Sequence, residues 1–226
     1  MRGILRVDGK ELGVSNSQCM VLETVIEADT SVRDQWGMCI MKNRLSSPKG
    51  ADYVFFCTPK NPNDYCMAEV FYHDGVLMCD EYCKIYAYRR INHHDKVRGT
   101  GVNIYNDQGG LFYSSSVLPL QITQIIDVSG EVMKMDPDWV DGEPVYSHAV
   151  VHPVEPGSMV SATTCAQHRI DLYNMVFCPN ISNRYNYVKV LPHFHGQSAH
   201  GGDTYTNYWV RICHHIIIAK DPFYKQ

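Results

Sequence analysis

At 226 residues, with a formal net charge of −4 and a pI near 6.2, the chain is long enough to bury a core and lacks the basic balance of a dedicated nucleic-acid binder. Its 45% hydrophobic and 19% charged residues are ordinary for a soluble protein, and no apolar run approaches the roughly 20 residues that span a bilayer as a helix. Fifteen tyrosines, seven phenylalanines and three tryptophans, among many Val and Ile, suit pleated, half-buried strands better than helices.

The predicted elements run in order from a short opening hairpin, Ile4 to Val7 and Leu12 to Val14, turned by Asp8-Gly9. Charge and a turn come too early in Met1-Arg2-Gly3-Ile4-Leu5-Arg6 for a signal peptide, so the thiols are expected to be reduced. Cys19, Cys39, Cys57, Cys66, Cys165 and Cys213 sit among apolar or aromatic neighbours and are expected to pack as small hydrophobes. Met20 to Ala28 reads as a strand, because Val and Ile dominate it and no helix cap precedes it. Arg33 to Gly50 reads as a loop leading into a strand from Asp52 to Cys57, which Pro59 and Pro62 end.

From Tyr65 to Arg90 the alternation is cleaner. Met67 to Tyr72 and Val76 to Met78 form a hairpin about Asp74-Gly75, with Lys84 to Arg89 as a further strand. Ile91 to Thr100 is polar and glycine-ended, a linker or a crossing between sheets. A second hairpin pairs Val102/Ile104 with Leu111/Tyr113 around Asn106-Asp107-Gln108-Gly109-Gly110. Its Ile104-Tyr105-Asn106-Asp107 also resembles Phe71-Tyr72-His73-Asp74, the pattern an internal repeat would leave and one that any two tight hairpins share. A strand follows Pro119, and Gly130 to Glu143, turn-rich and acidic, is the best candidate boundary if there are two modules, 1–129 and 143–226. Beyond it, strands are expected at Val145 to Val151, Met159 to Thr164, Ile170 to Phe177, Tyr185 to Leu191 and Tyr205 to Ile218. Short strands at this spacing define an all-β chain, an antiparallel β-sandwich or sandwich pair with few or no helices, and a single domain is an open alternative.

Two clusters could carry chemistry. His193 and His195 lie two apart on a predicted strand and so share a face, with His200 or Asp203 arriving from the next turn, a candidate metal set. The spacing resembles the His-x-His of cupin-like metal sites, without that family's following Glu or its glycine placement. Cys79 and Cys83, with His93 and His94, have a zinc-like gap but no second matching pair. No Gly-x-Ser-x-Gly elbow, phosphate loop, dinucleotide fingerprint or His-Glu-x-x-His occurs, so nothing in the residues compels an enzyme, and no cofactor beyond a metal is suggested.

Gly101-Val102-Asn103-Ile104-Tyr105-Asn106-Asp107-Gln108-Gly109-Gly110-Leu111-Phe112-Tyr113-Ser114-Ser115-Ser116 resembles an element of small tail-tip and tail-fibre-associated proteins of lambda-like siphophages. There it has the form Gly-apolar-x-apolar-aromatic-Asn-x-x-Gly-x-apolar-x-aromatic-x-Ser-Ser. The resemblance implies a structural virion component, assembled in the bacterial cytoplasm and attached to the distal tail. Its expected partners are other phage tail proteins, further copies of itself and a host-surface receptor or glycan, with no nucleic acid and no membrane span. On that reading Tyr185, Tyr187, Tyr205, Tyr208 and Trp209 are the candidate contact residues, since Tyr and Trp supply contact area at low entropy cost. The rival classes are a metal-dependent β-barrel enzyme using His193 and His195, and a carbohydrate-binding sandwich.

Overall fold

Strand alternation carries through most of the described chain. The structure, a computed structural model, describes residues 3–7, 10–14, 20–34, 37–42, 45–61, 63–91, 102–105, 111–114, 117–129, 132–134, 138–140, 143–145, 149–162, 166–170, 173–195, 209–211 and 215–225. The first strands are β1 (Gly3–Val7), β2 (Lys10–Val14), β3 (Met20–Glu27), β4 (Cys39–Lys42), β5 (Tyr53–Pro59), β6 (Tyr65–Met67), β7 (Val70–His73) and β8 (Val76–Cys79). Then come β9 (Cys83–Arg90), β10 (Asn103–Tyr105), β11 (Leu111–Ser114), β12 (Ile122–Asp127), β13 (Val132–Lys134), β14 (Asp138–Val140) and β15 (Glu143–Val145). The chain continues as β16 (His152–Pro153), β17 (Ser158–Ser161), β18 (Ala166–Ile170), β19 (Tyr173–Ser182), β20 (Tyr187–His195), β21 (Trp209–Arg211) and β22 (His215–Lys220). One turn of 3-10 helix, Gly50–Asp52, is the only helical piece among the described residues, so the chain is all-β as its composition implies.

The central sheet runs β12-β22-β17-β5-β9-β3, antiparallel throughout. Its two edges are joined by one piece of chain. Leu118 O accepts from Leu22 N and Leu120 N donates to Met20 O, both at 2.9 Å, against the β3 edge. The same segment then becomes β12 on the opposite edge, beside β22. Pro119, which has no N–H, stands opposite Val21 and the ladder bonds fall to its neighbours, so proline is tolerated there. The sheet thereby curls towards a barrel. Phe56, Tyr86, Tyr88, Met159 and Ala219 are buried on its inner face, with Met20, Leu22, Val25, Leu120 and Ile217 packed against them. Burying a side chain such as Phe56 contributes about 2–3 kcal/mol.

The period of two sends the alternate residues to a second, larger core. Phe55 and Cys57 on β5, Ile85 and Ala87 on β9, and Ile216 and Ile218 on β22 leave the barrel outward. There they meet Ile181, Val188 and Val190 of the five-stranded sheet β16-β20-β19-β18, in which β6 also pairs with β19. The three-stranded sheet β4-β8-β7 adds Cys39, Leu77 and Cys79 to the same core.

Both Asp-Gly hairpins form. β1 and β2 pair with Val7 opposite Lys10. β7 and β8 pair with His73 opposite Val76, and Asp74 and Gly75 both hold positive φ, 47° and 77°, as a two-residue primed turn requires. Within the Gly101–Ser116 stretch β10 pairs with β11, with a register shift between Ile104 and Tyr105; residues 101, 106–110, 115 and 116 lie outside the described ones. The shift separates it in form from the regular β7–β8 hairpin.

Three expectations are corrected. The loop from Arg33 to Gly50 contains β4, in register with β8 from Cys39 opposite Cys79 to Lys42 opposite Val76. The single strand expected from Met67 to Tyr72 breaks at Ala68-Glu69, where Ala68 N donates to Pro179 O at 2.7 Å and Glu69 N to Met67 O at 2.8 Å. The chain there leaves β19 for β8. Residues 130–143, read as turns, hold β13 and the β14–β15 hairpin. The central sheet draws β3, β5, β9 and β12 from before this stretch and β17 and β22 from after it.

Candidate functional site

The most distinctive described surface is a strip of tyrosines, and the backbone register explains it. Tyr65 on β6 stands opposite Ser182 on β19, Ser182 opposite Tyr187 on β20, and Tyr187 opposite Pro153 on β16. Residues directly opposite in antiparallel strands share a sheet face. Ser182 is small and buried, so the larger side chains on either side form the surface of the row.

The tight β19–β20 connection adds Tyr185. Asn186 takes a positive φ of 50°, its carbonyl accepts from Val154 N at 2.9 Å, and Asn183 Nδ2 donates to Thr58 Oγ1 at 2.9 Å. With the turn anchored at both ends, Tyr185 stacks on Tyr187 at 6.2 Å between ring centroids and 10° between planes. At the other end, Met67 N donates to Asp80 Oδ2 at 2.9 Å, tying β6 to the β8–β9 turn. That contact brings Tyr82 to Tyr65, centroids 6.3 Å apart and planes tilted by 45°.

Three members of the strip Tyr82, Tyr65, Tyr187, Tyr185 are open to solvent, Tyr65 at 60%, Tyr185 at 62% and Tyr82 at 42% exposure, and Tyr187 is half-buried. Two cations flank one end. The Arg184 guanidinium lies over the Tyr185 ring at 5.1 Å and Lys189 Nζ over Tyr187 at 5.6 Å. Burial pushes the Lys189 amine below its usual value, and burial, then Tyr185 and Tyr65, push the Tyr187 phenol up. Beside Tyr82, Arg33 Nη2 donates to Glu81, and that bond holds the Glu81 carboxyl below its usual range. Flat rings edged by cationic donors suit a ligand with apolar C–H faces and polar or acidic substituents.

Of the predicted contact residues, Tyr185 and Tyr187 come together here. Tyr205 and Tyr208 lie outside the described residues, and Trp209 is placed by its backbone alone, in β21 opposite Lys134. Tyr65 and Tyr82 were missed. Neither is close in sequence to Tyr185, and only the β6–β19 pairing unites them.

His193 and His195 stand opposite Val176 and Asn174, at alternate positions of β20, as their spacing implies; His200 lies outside the described residues. His93 and His94 also lie outside them. Among the described residues no group of three or more His, Cys, Asp or Glu is arranged to hold a metal ion. Cys39, Cys57, Cys66, Cys79, Cys83 and Cys178 are buried free thiols, as expected of Cys39, Cys57 and Cys66. Cys19, Cys165 and Cys213 lie outside the described residues. A cleft of about 540 Å³ beside β3 and β4, lined by Thr24, Ile26, Val32, Ile40 and Met41 among others, is mainly aliphatic. Its carboxylate, Asp29, already accepts from Ser31 N at 2.9 Å.

Fold and surface together define an all-β protein with a partly closed barrel, a second sheet packed outside it and a cluster of surface tyrosines where β6, the β8–β9 turn and the β19–β20 turn come together. No protein-family model matches the chain, and neither a curated protein nor a solved structure matches it.

Proposed function

We propose that this chain is a structural component of a bacteriophage tail tip and that the strip Tyr82, Tyr65, Tyr187, Tyr185 is where it meets the host surface. The observation that supports a contact role is the pair of neighbouring ring contacts, Tyr65 with Tyr82 and Tyr185 with Tyr187, on either side of Ser182, with Arg184 and Lys189 at one edge. Three exposed tyrosines, Tyr65, Tyr82 and Tyr185, beside the half-buried Tyr187 contribute little to the core, whereas such a surface offers apolar contact area with hydroxyls to orient a partner. The tail-tip setting comes from the resemblance of Gly101–Ser116 alone. Tail proteins, further copies of the chain and a cell-surface glycan or receptor are the corresponding partners.

Gold-labelled antibody against the purified protein tests the setting; decoration of the distal tails of phage particles is the expected result, and unlabelled particles refute it. Pull-down on intact bacteria tests the strip. The double substitution Tyr65→Ala/Tyr185→Ala lowers cell binding at least tenfold with the fold unchanged by circular dichroism. The same strip also favours a free-standing carbohydrate-binding module, which differs in binding glycans as an isolated chain and in not co-purifying with tails.

A further inference from the structure

Beside the row that carries Tyr65 and Tyr187 runs a second row of the same sheet face, and its donors lack acceptors. Met67 on β6 stands opposite Asn180 on β19, and Asn180 stands opposite Lys189 on β20. Each lies two residues along its strand from Tyr65, Ser182 and Tyr187, so the period of two puts both rows on one face. Asn180 and Ser182, only 2% and 4% exposed, form a polar floor on the middle strand between longer side chains on both neighbours.

Asn180 Nδ2 is buried and has no hydrogen-bond acceptor among the described residues. Lys189 is half-buried; burial pushes its amine down, and no neighbouring carboxylate pushes it back. Its Nζ rests over the Tyr187 ring at 5.6 Å, as the Arg184 guanidinium rests over Tyr185 at 5.1 Å. Among the described residues no carboxylate pairs with either cation. A buried amide without an acceptor and a half-desolvated ammonium without a counter-ion both cost the chain stability. One anionic oxygen pair brought by a ligand offsets both, through charge-assisted hydrogen bonds.

We propose that the strip takes an acidic saccharide, its carboxylate held by Lys189 and the Asn180 amide and the C–H face of its ring laid against the neighbouring tyrosines.

The inference rests on the strip being the contact surface and names the class of ligand that surface takes. Asn180 and Lys189, directly opposite on adjacent strands, present two donors to the two oxygens of one carboxylate. The rows are about 7 Å apart, two residues of strand, which matches a sugar ring and the carboxylate it carries. A neutral sugar meets the same rings but leaves both donors unpaired. Discrimination therefore lies with Lys189 and Asn180, and the tyrosines supply contact area common to both ligands.

The experiment titrates the full chain calorimetrically with an oligogalacturonate and with the matching neutral galactose oligosaccharide, at one ionic strength. The acidic ligand is expected to bind at least tenfold more tightly. Lys189→Met, which keeps an apolar stem beside Tyr187 and removes the charge, abolishes that preference and leaves neutral binding in place. Tyr65→Ala weakens both ligands alike. Equal affinity for the two saccharides overturns the proposal, as does a preference that survives Lys189→Met. Binding of neither saccharide overturns it too, and pull-down on intact bacteria then separates the two readings. If Tyr65→Ala/Tyr185→Ala still lowers cell binding, the strip remains the contact surface and only its acidic ligand is lost; unchanged cell binding removes the strip as well. The comparison of the two saccharides is made on the unsubstituted chain, so a poorly folded variant does not remove the test.

Discussion

At Gly157 the backbone holds φ at 76°, and a Cβ added there would lie 2.3 Å from Cγ of Tyr224. The segment is fixed on both sides, since Asp221 N donates to Gly157 O at 2.8 Å. Gly157→Ala therefore costs about 2–3 kcal/mol in urea unfolding, the sum of left-handed strain and overpacking. Removing the ring in Gly157→Ala/Tyr224→Ala relieves only part of this, because the Cβ at position 224 still lies 2.8 Å from the new one, and about 1 kcal/mol of backbone strain remains as well. Tyr86 is the neighbouring case. Its hydroxyl donates to Asp221 at 2.7 Å inside the curled sheet, and burial, then this bond to the carboxylate, push its phenol well above the ordinary 10.0. Tyr88 is raised too, by burial and then Asp221. A raised folded value means that the unfolded chain loses its phenolic protons first. Stability from these two groups is therefore fully present below about pH 10 and declines as pH rises further. Alkaline unfolding followed by circular dichroism shows this decline, and Tyr86→Phe makes it shallower while removing about 1–2 kcal/mol at neutral pH.

Among the elements, β3 is tied to β5 and to the segment before it by one carboxylate. Glu23 accepts from Arg89 Nε at 2.7 Å, from Ser46 N at 2.6 Å and from Ser46 Oγ at 2.7 Å, with Tyr53 Oη at 3.3 Å. The ion pair is mostly enclosed, with side chains 14% and 20% exposed, so solvent screens it little. Glu23→Ala costs about 2–3 kcal/mol in chemical denaturation, because several bonded groups lose their shared acceptor. Glu23→Gln, which keeps an acceptor for Ser46, costs less. The β7–β8 turn was legible in its Asp-Gly pair, since few residues tolerate two successive positive φ values. β4 was not: Cys39-Ile40-Met41-Lys42 is four residues long and gains its strand form from β8. The break between β6 and β7 was equally hidden, because Met67 to Tyr72 reads as one continuous run and the bond that diverts it goes to Pro179.

For the molecule as a whole, strands from both halves of the chain share the central sheet, with β22 and β17 lying between β12 and β5. The barrel core likewise joins Phe56, Tyr86 and Tyr88 to Met159 and Ala219. Unfolding in guanidinium is expected to give one transition, with tyrosine fluorescence and circular dichroism coinciding. Fragments 1–129 and 143–226, produced separately, are expected to lack cooperative unfolding. Two independent, cooperative fragments would show instead that each half completes its own core.

The all-β class, the Asp-Gly hairpins and the burial of Cys39, Cys57 and Cys66 were determined by the sequence itself, because alternation, turn chemistry and hydrophobicity act between near neighbours. Tyr185 and Tyr187 stand two apart in the sequence, so their stacking is set by the local turn. Closure of the central sheet by Leu118 to Asp127 and the union of Tyr65 and Tyr82 with that pair were decided only in the tertiary structure. Each depends on which distant strands pair and in what register, and no local pattern encodes that choice.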